Sequence, residues 1–294
     1  MGNIALEMAS NKEKSENWDL VIRPAGSAVT LNFKDIWKYR DLLFMFVKRD
    51  YVSVYKQTIL GPLWFFIQPV LTTLTFALVF GRIARLSTDG LPMLAFYLCG
   101  IVAWNYFADC LNTTSGTFIN NANIFGKVYF PRIIIPVSVV ISNLMKFALQ
   151  FLLLIMLVCY YAFFTEQQVQ PNWLIVFTPL LLLIMGVMGL GFGIIISSYT
   201  TKYRDLKFLV TFGVQLFMYA TPVAYPLSAL PEKYQNILKW NPVTPIVECF
   251  RYAFLGKGTF DIFMLLYAAL FSTVLLMCGM VVFNKVEKNF MDTV

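Results

Sequence analysis

Six apolar runs recur along this chain, near residues 59–81, 92–115, 133–164, 173–199, 208–221 and 262–284. A hydrocarbon layer of about 30 Å is crossed by roughly 20 helical residues, and only the fifth run falls well short of that. With 59% hydrophobic and 13% charged residues, the chain has too little polar surface for a soluble domain. Ten-residue segments of alternating polarity, the mark of a membrane β-barrel, are absent. Helices that satisfy their own backbone groups remain. The expected fold is all-α and polytopic, with six transmembrane helices over 59–284, a polar arm over 1–32 and a tail over 285–294.

Basic residues orient the spans. If the gaps alternate between two sides, one side holds sixteen of the 23 Lys and Arg, the other holds six, and Lys146 lies within a span. The richer side carries both ends of the chain and is expected to be cytoplasmic. The net charge of +7 then reads as topology and contact with anionic lipid, not as a nucleic-acid surface, because no soluble basic domain exists to hold one. The polar first 35 or so residues lack a signal-peptide pattern, so span 1 is expected to direct insertion. The five cysteines show no CxxC spacing and read as small hydrophobes.

Absent residues narrow the chemistry. No histidine occurs, which excludes a Ser-His-Asp triad, a His-ligated metal and a His proton relay. Gly256-Lys257-Gly258-Thr259 lacks the first glycine of a phosphate loop and has Gly where Ser or Thr must follow Lys. Gly189 and Gly191 sit inside span 4 with no preceding strand, so no dinucleotide fold is indicated. No catalytic residue, metal site or resident cofactor is expected.

Outside the spans, 33–58 is expected to form an amphipathic helix in the membrane interface, with Phe33, Trp37, Phe44, Val47, Tyr51 and Val54 on one side and Lys34, Lys38, Asp41 and Lys48 on another. The loop over 118–132 mixes Asn, aromatic and basic residues and allows one short helix closed by Gly126, suited to receiving force from a soluble partner. Between spans 5 and 6, the segment 222–261 carries five prolines and short amphipathic stretches; re-entrant or interfacial half-helices at the outer face are expected.

Polar residues within spans are costly in lipid and turn inward. Asn105, Asp109 and Asn112 share one face of span 2, and Asn143, Lys146 and Gln150 share one face of span 3, so an Asp109–Lys146 ion pair is open to these spans. Phe208, Phe212, Gln215 and Tyr219 in span 5, and Phe65, Thr72, Phe76 and Phe80 in span 1, form aromatic stripes interleaved with amides and hydroxyls. Such stripes suit stacking on sugar rings, and ordinary packing explains them equally well. Gly189, Gly193 and Ser197 permit close helix contact within or between subunits.

Several short motifs stand in a fixed order: Arg49-Asp50-Tyr51 with Tyr55-Lys56, Leu60-Gly61-Pro62-Leu63-Trp64 with Pro69, Phe130-Pro131-Arg132 with Pro136, Tyr203-Arg204-Asp205-Leu206, and Asn241-Pro242 through Pro245 to Phe250-Arg251. In them the chain, from Trp37 to Phe283, resembles the membrane permease subunit of type-2 ABC exporters of polysaccharides, the group of O-antigen, capsule and teichoic-acid permeases. The resemblance implies a homodimer joined to two separate nucleotide-binding subunits, which hold the ATP and Mg, in a bacterial cytoplasmic membrane. It implies that 120–127 is a coupling helix, with Asn121, Asn123, Ile124, Phe125, Lys127 and Tyr129 at the ATPase contact. It further implies gate helices in the outer segment and a lipid-linked glycan, most simply an O-antigen, as cargo. An ion-coupled secondary transporter, or a flippase of a smaller amphipathic substrate, is the alternative; such carriers often show an internal repeat, and none is seen. A membrane glycosyltransferase would need paired carboxylates, and Glu232, Glu248 and Asp261 are scattered.

Overall fold

The computed structural model describes residues 37–56, 58–125, 130–165, 169–200 and 202–289, and every regular element among them is a helix. α1 (Arg40–Tyr55) precedes the first span. α2 (Trp64–Phe76) starts from a 3-10 turn, Gly61–Leu63, and runs on as a π-helix, Ala77–Ile83. α3 (Met93–Ser115) is followed by two single-turn helices, α4 (Thr117–Asn120) and α5 (Ala122–Phe125). Then come α6 (Ile134–Phe164), α7 (Thr178–Thr200, after a 3-10 turn Trp173–Phe177) and α8 (Leu206–Tyr219). α9 (Glu232–Lys239), α10 (Thr244–Leu255) and α11 (Ile262–Asn289) complete the chain.

Five stretches, Gly61–Ile83, Met93–Ser115, Ile134–Phe164, Trp173–Thr200 and Ile262–Val286, are long and apolar enough to cross a membrane. α8 has 14 residues, about 21 Å at 1.5 Å per residue, which is short of a hydrocarbon core. The six expected spans are thus five full-length helices and one short apolar helix. Pro222 explains the stop: it has no N–H to donate and drives the residue before it out of the helical region, so the chain turns at Ala220 and Thr221.

α3 is the hub, packing against α2, α6, α7, α8 and α10. Its most apolar window is 83% buried, yet it is the least apolar of the five long helices. Lipid inverts the soluble pattern, because apolar side chains gain nothing by leaving lipid, whereas small, aromatic and polar ones gain partners inside the bundle. α7 lies between α3 and α11 and uses glycine on both faces. A Cβ on Gly189 would stand 2.7 Å from the Cys110 Cβ, one on Gly193 would collide with Thr114, and one on Gly191 would stand 3.0 Å from the Leu276 backbone nitrogen. Ser197 Oγ accepts from the Phe118 amide at 3.2 Å. The small-residue stripe therefore serves contact within the subunit.

α1 packs on the bundle with Leu43, Phe46 and Val47, which join Phe118, Phe125, Phe130, Ile134, Ile135 and Phe283 in a second apolar cluster. Trp37 and Phe44, placed by periodicity on the same side as Val47, remain exposed. The buried face is thus rotated about a quarter turn from the expected one, leaving two aromatic side chains free for the headgroup zone. Residues 33–36 and Gly126 lie outside the described residues. At the opposite end, α9 has no buried residue, whereas α10 is buried along ten of its twelve residues, against α3 and the 3-10 turn before α7. Gly256, at φ 77°, closes α10 in the left-handed conformation that favours glycine. The five cysteines are free thiols, buried at Cys99, Cys110 and Cys249 and exposed at Cys159 and Cys278.

Candidate functional site

The polar faces of α3 and α6 meet. Asn105 Nδ2 donates to Gln150 Oε1 at 3.4 Å. One turn nearer the α1 end, Asp109 and Lys146 interact electrostatically across the seam, yet they form no salt bridge among the described residues. The seam opens into a cavity of about 340 Å³ lined from four directions: Arg49, Asp50 and Ser53 of α1, Thr113 of α3, Thr117, Asn121 and Ile124 around α4 and α5, and Ser142, Asn143 and Lys146 of α6. Arg49 and Asp50, neighbours on α1, pair with each other at 2.7 Å. Of the buried polar groups beside it, Asn143 hydrogen-bonds the Cys110 sulfur, and Thr117 Oγ1 has no hydrogen-bond partner.

The loop expected to meet the ATPase forms α4 and α5, two turns where one helix was expected. Phe125 is 3% exposed and stacks on Phe130 with centroids 6.0 Å apart. It anchors the loop to α1 and α6 from within. Asn121 is also buried and donates to the Thr117 carbonyl at 3.0 Å. Asn123 is exposed and Ile124 half-buried, so these two carry the loop's free face. Lys127 and Tyr129 lie outside the described residues.

The two aromatic stripes separate. In α2, Phe76 is buried, edge-on to Phe80 at 5.1 Å and to Tyr97 at 6.1 Å, and Phe65 is buried against Tyr51 of α1. Thr72 returns its hydroxyl to the Gln68 carbonyl, and Phe80 is half-buried. In α8, by contrast, Phe208, Phe212, Gln215 and Tyr219 are all exposed, and Val214 is the single buried residue of that helix.

A charged knot at the far end escaped sequence reasoning. Arg251 and Glu248, 1% and 2% exposed, pair at 2.6 Å. Arg251 Nη2 donates to the Pro222 carbonyl at 2.7 Å, its guanidinium stacks 4.0 Å from the Phe96 ring, and Glu248 Oε2 accepts from the Thr259 amide. Gly100 permits this approach, since a Cβ there would stand 3.0 Å from the Val223 carbonyl and 3.3 Å from Arg251 Nη2. The pair ties α10 to the turn after α8. Outside the spans, burial pushes the Cys249 thiol up to about 11, which keeps it protonated and inert. Among the described residues no group of His, Cys, Asp and Glu could hold a metal.

Comparison with known proteins assigns this architecture. The ABC-2 type transporter family model matches residues 41–255. The chain belongs to that family. It is 28% identical over 253 residues to an O-antigen export system permease protein RfbA of Klebsiella pneumoniae, covering 86% of this chain and 94% of that one. The RfbA of the same description from Myxococcus xanthus is 27% identical over 263 residues, covering 89% and 98%. The polysialic acid transport protein KpsM of Escherichia coli is 24% identical over 238 residues, covering 80% and 89%. The ABC-2 match runs from the start of α1 to the end of α10, so it takes in the cavity, the α4–α5 loop and the Arg251 knot. Spacing of i and i+3 between Glu248 and Arg251 was the one signal for that knot. It is indistinguishable from an exposed helix pair until α3 is seen to cover it.

Proposed function

We propose that this ABC-2 chain is the membrane permease of an exporter that moves a lipid-linked polysaccharide, most simply an O-antigen, across a bacterial cytoplasmic membrane. The observation that carries the reading is similarity, over four-fifths or more of the chain, to relatives described as an O-antigen export permease and a polysialic acid transport protein. Two copies assemble with two ATPase subunits, which bind the ATP and Mg. The excess of basic residues at the α1 end supports placing both termini in the cytoplasm. Asn123 and Ile124 then face the ATPase, with Phe125 bracing them from behind. The exposed face Phe208, Phe212, Gln215 and Tyr219 of α8 supports a wall of the glycan path between two copies, where rings stack on sugars and the amide meets hydroxyls.

The test is copurification with an ABC-type ATPase subunit from the same organism, reconstitution, and measurement of ATP hydrolysis with and without lipid-linked O-antigen. Stimulation by the glycolipid is the expected result. Equal hydrolysis with and without it, together with unchanged surface glycan in a strain lacking this gene, would sink the reading.

A further inference from the structure

α6 and α7 both pack on α3, and between them a groove of about 620 Å³ opens to the outside of the bundle. Tyr106 of α3 and Phe147 of α6, each 4% exposed, form its floor, and Leu144 and Leu183, 40% and 62% exposed, stand at its rim. At Gly186 the two helices come close, since a Cβ there would stand 3.2 Å from Val140 Cγ1 and 2.8 Å from the Tyr106 hydroxyl. Farther from α1 they share a different neighbour. Phe151 of α6 meets the Phe254 ring edge-on at 5.3 Å, and the Asn172 amide, just before the turn leading into α7, donates to the Ala253 carbonyl at 2.8 Å. Both partners belong to α10, so the two helices are fastened there through it.

The lining chemistry excludes water. No lining residue is charged, and the polar ones are Tyr106, whose hydroxyl bonds the Cys110 thiol, and Thr178, which is buried. A bound water needs several polar partners and would not find them here. Left empty, the lining would lose dispersion contacts along its whole length. Size chooses between the remaining occupants. From Val137 to Phe151 the groove follows α6 for about 21 Å, over which a second helix, about 10 Å across, would take up roughly 1,600 Å³. At about 30 Å³ per methylene, near one water's share of the liquid, the 620 Å³ holds roughly twenty methylenes, which is one acyl chain and not two.

Depth points to the same occupant. Gly186 stands midway along Trp173–Thr200. From it to Ile175, the lining residue nearest the far end, the chain rises about 16–18 Å, close to half of a hydrocarbon layer of roughly 30 Å. Trp173, 74% exposed, sits just beyond, at the height of the headgroups. We propose that the groove between α6 and α7 binds one acyl chain of a phospholipid from the leaflet farther from α1, with Ile175 near the headgroup and Leu190 at the chain's end. The lipid supplies the packing that the two helices do not give each other. This site lies apart from the exposed aromatic face of α8, and it does not depend on the export reading.

The test uses the complete permease–ATPase complex, reconstituted in nanodiscs of phosphatidylethanolamine and phosphatidylglycerol, exchanged into mild detergent and weighed by native mass spectrometry. Ala148→Phe, which puts a ring into the groove from an exposed lining position, should retain one phospholipid fewer per permease chain than the parent. Val187→Phe, from the opposite wall, should do the same and serves if Ala148→Phe proves poorly folded. Leu152→Phe, exposed on α6 outside the groove, should keep the parent's number. Phosphatidylethanolamine added back to delipidated complex should raise the parent's Tm, as a ligand of the folded state must, and raise that of Ala148→Phe by at most about half as much. The parent's lipid number in both filled variants would overturn the proposal. So would a parent that keeps no phospholipid through the exchange. In a cysteine-free background, Ala148→Cys should give no disulfide-linked permease dimer on oxidation; a dimer would put a second copy in the groove and overturn it as well.

Discussion

Removing the guanidinium of Arg251 should damage the far end of the bundle more than any surface change in this chain. In the native arrangement Arg251 neutralises Glu248 at 2.6 Å and satisfies the Pro222 carbonyl at 2.7 Å, with both side chains at most 2% exposed. Arg251→Met keeps much of the volume and leaves Glu248 as a buried charge held only by the Thr259 amide. Breaking a buried pair from one side costs about 3–5 kcal/mol. By the scaling for soluble domains of 150–250 residues, that lowers Tm by roughly 6–20 °C. The double variant Arg251→Met/Glu248→Gln removes the stranded charge and leaves mainly the Pro222 carbonyl without its donor, a loss of about 1–3 kcal/mol. It should therefore be more stable than the single variant. The assay is thermal unfolding of the detergent-purified protein followed by thiol accessibility of Cys249, which is 2% exposed and lies beside the pair on α10. A single variant within about 2 °C of the parent, or a double variant less stable than the single, would refute the argument that a paired charge holds α10 in place.

The coupling loop should separate two effects: Ile124→Asp should reduce ATPase copurification with the permease still inserted, whereas Phe125→Asp should lower the amount of folded permease itself, read by size-exclusion chromatography before any partner is added. Phe212→Ala and Tyr219→Ala should reduce glycan export at normal permease levels, because both are exposed, while Val214→Ala should act through stability, at about 2 kcal/mol for the lost methyl groups; quantitative immunoblotting beside export distinguishes them. Gly193→Leu should prevent α7 from meeting α3 at Thr114 and abolish the folded protein, and normal yield of that variant would contradict the packing. In a cysteine-free background, a cysteine at Lys233 should react with an impermeant thiol reagent from outside and one at Lys285 should not; the reverse pattern would invert the topology.

Membrane residence, all-helical structure and the position of each long helix were legible in one dimension. The length of an apolar run against a bilayer's thickness needs no tertiary knowledge, and the expected ends of α3, α6 and of α7 with its leading 3-10 turn fall within a residue of those observed. The seam between Asn105 and Gln150 was also foreseeable, because polar side chains in lipid can turn only toward one another. The ordered motifs carried the family, and the matched region bears it out.

Tertiary structure decided which way each apolar face points. Phe76 and Phe212 look alike in sequence, in similar aromatic stripes, yet one is 7% exposed and the other 60%. In water the hydrophobic effect would have sorted them, since apolar residues gather inside. In a bilayer, lipid and protein interior are equally apolar, so hydropathy does not tell a packed face from a free one, and close fit decides. For the same reason Phe125 turned inward, the buried side of α1 shifted to Leu43, Phe46 and Val47, and Glu248 with Arg251 became an interior pair. The chain determined by itself that it lies in a membrane as a set of helices; only their packing determined which residues remain for a partner, a lipid or a sugar.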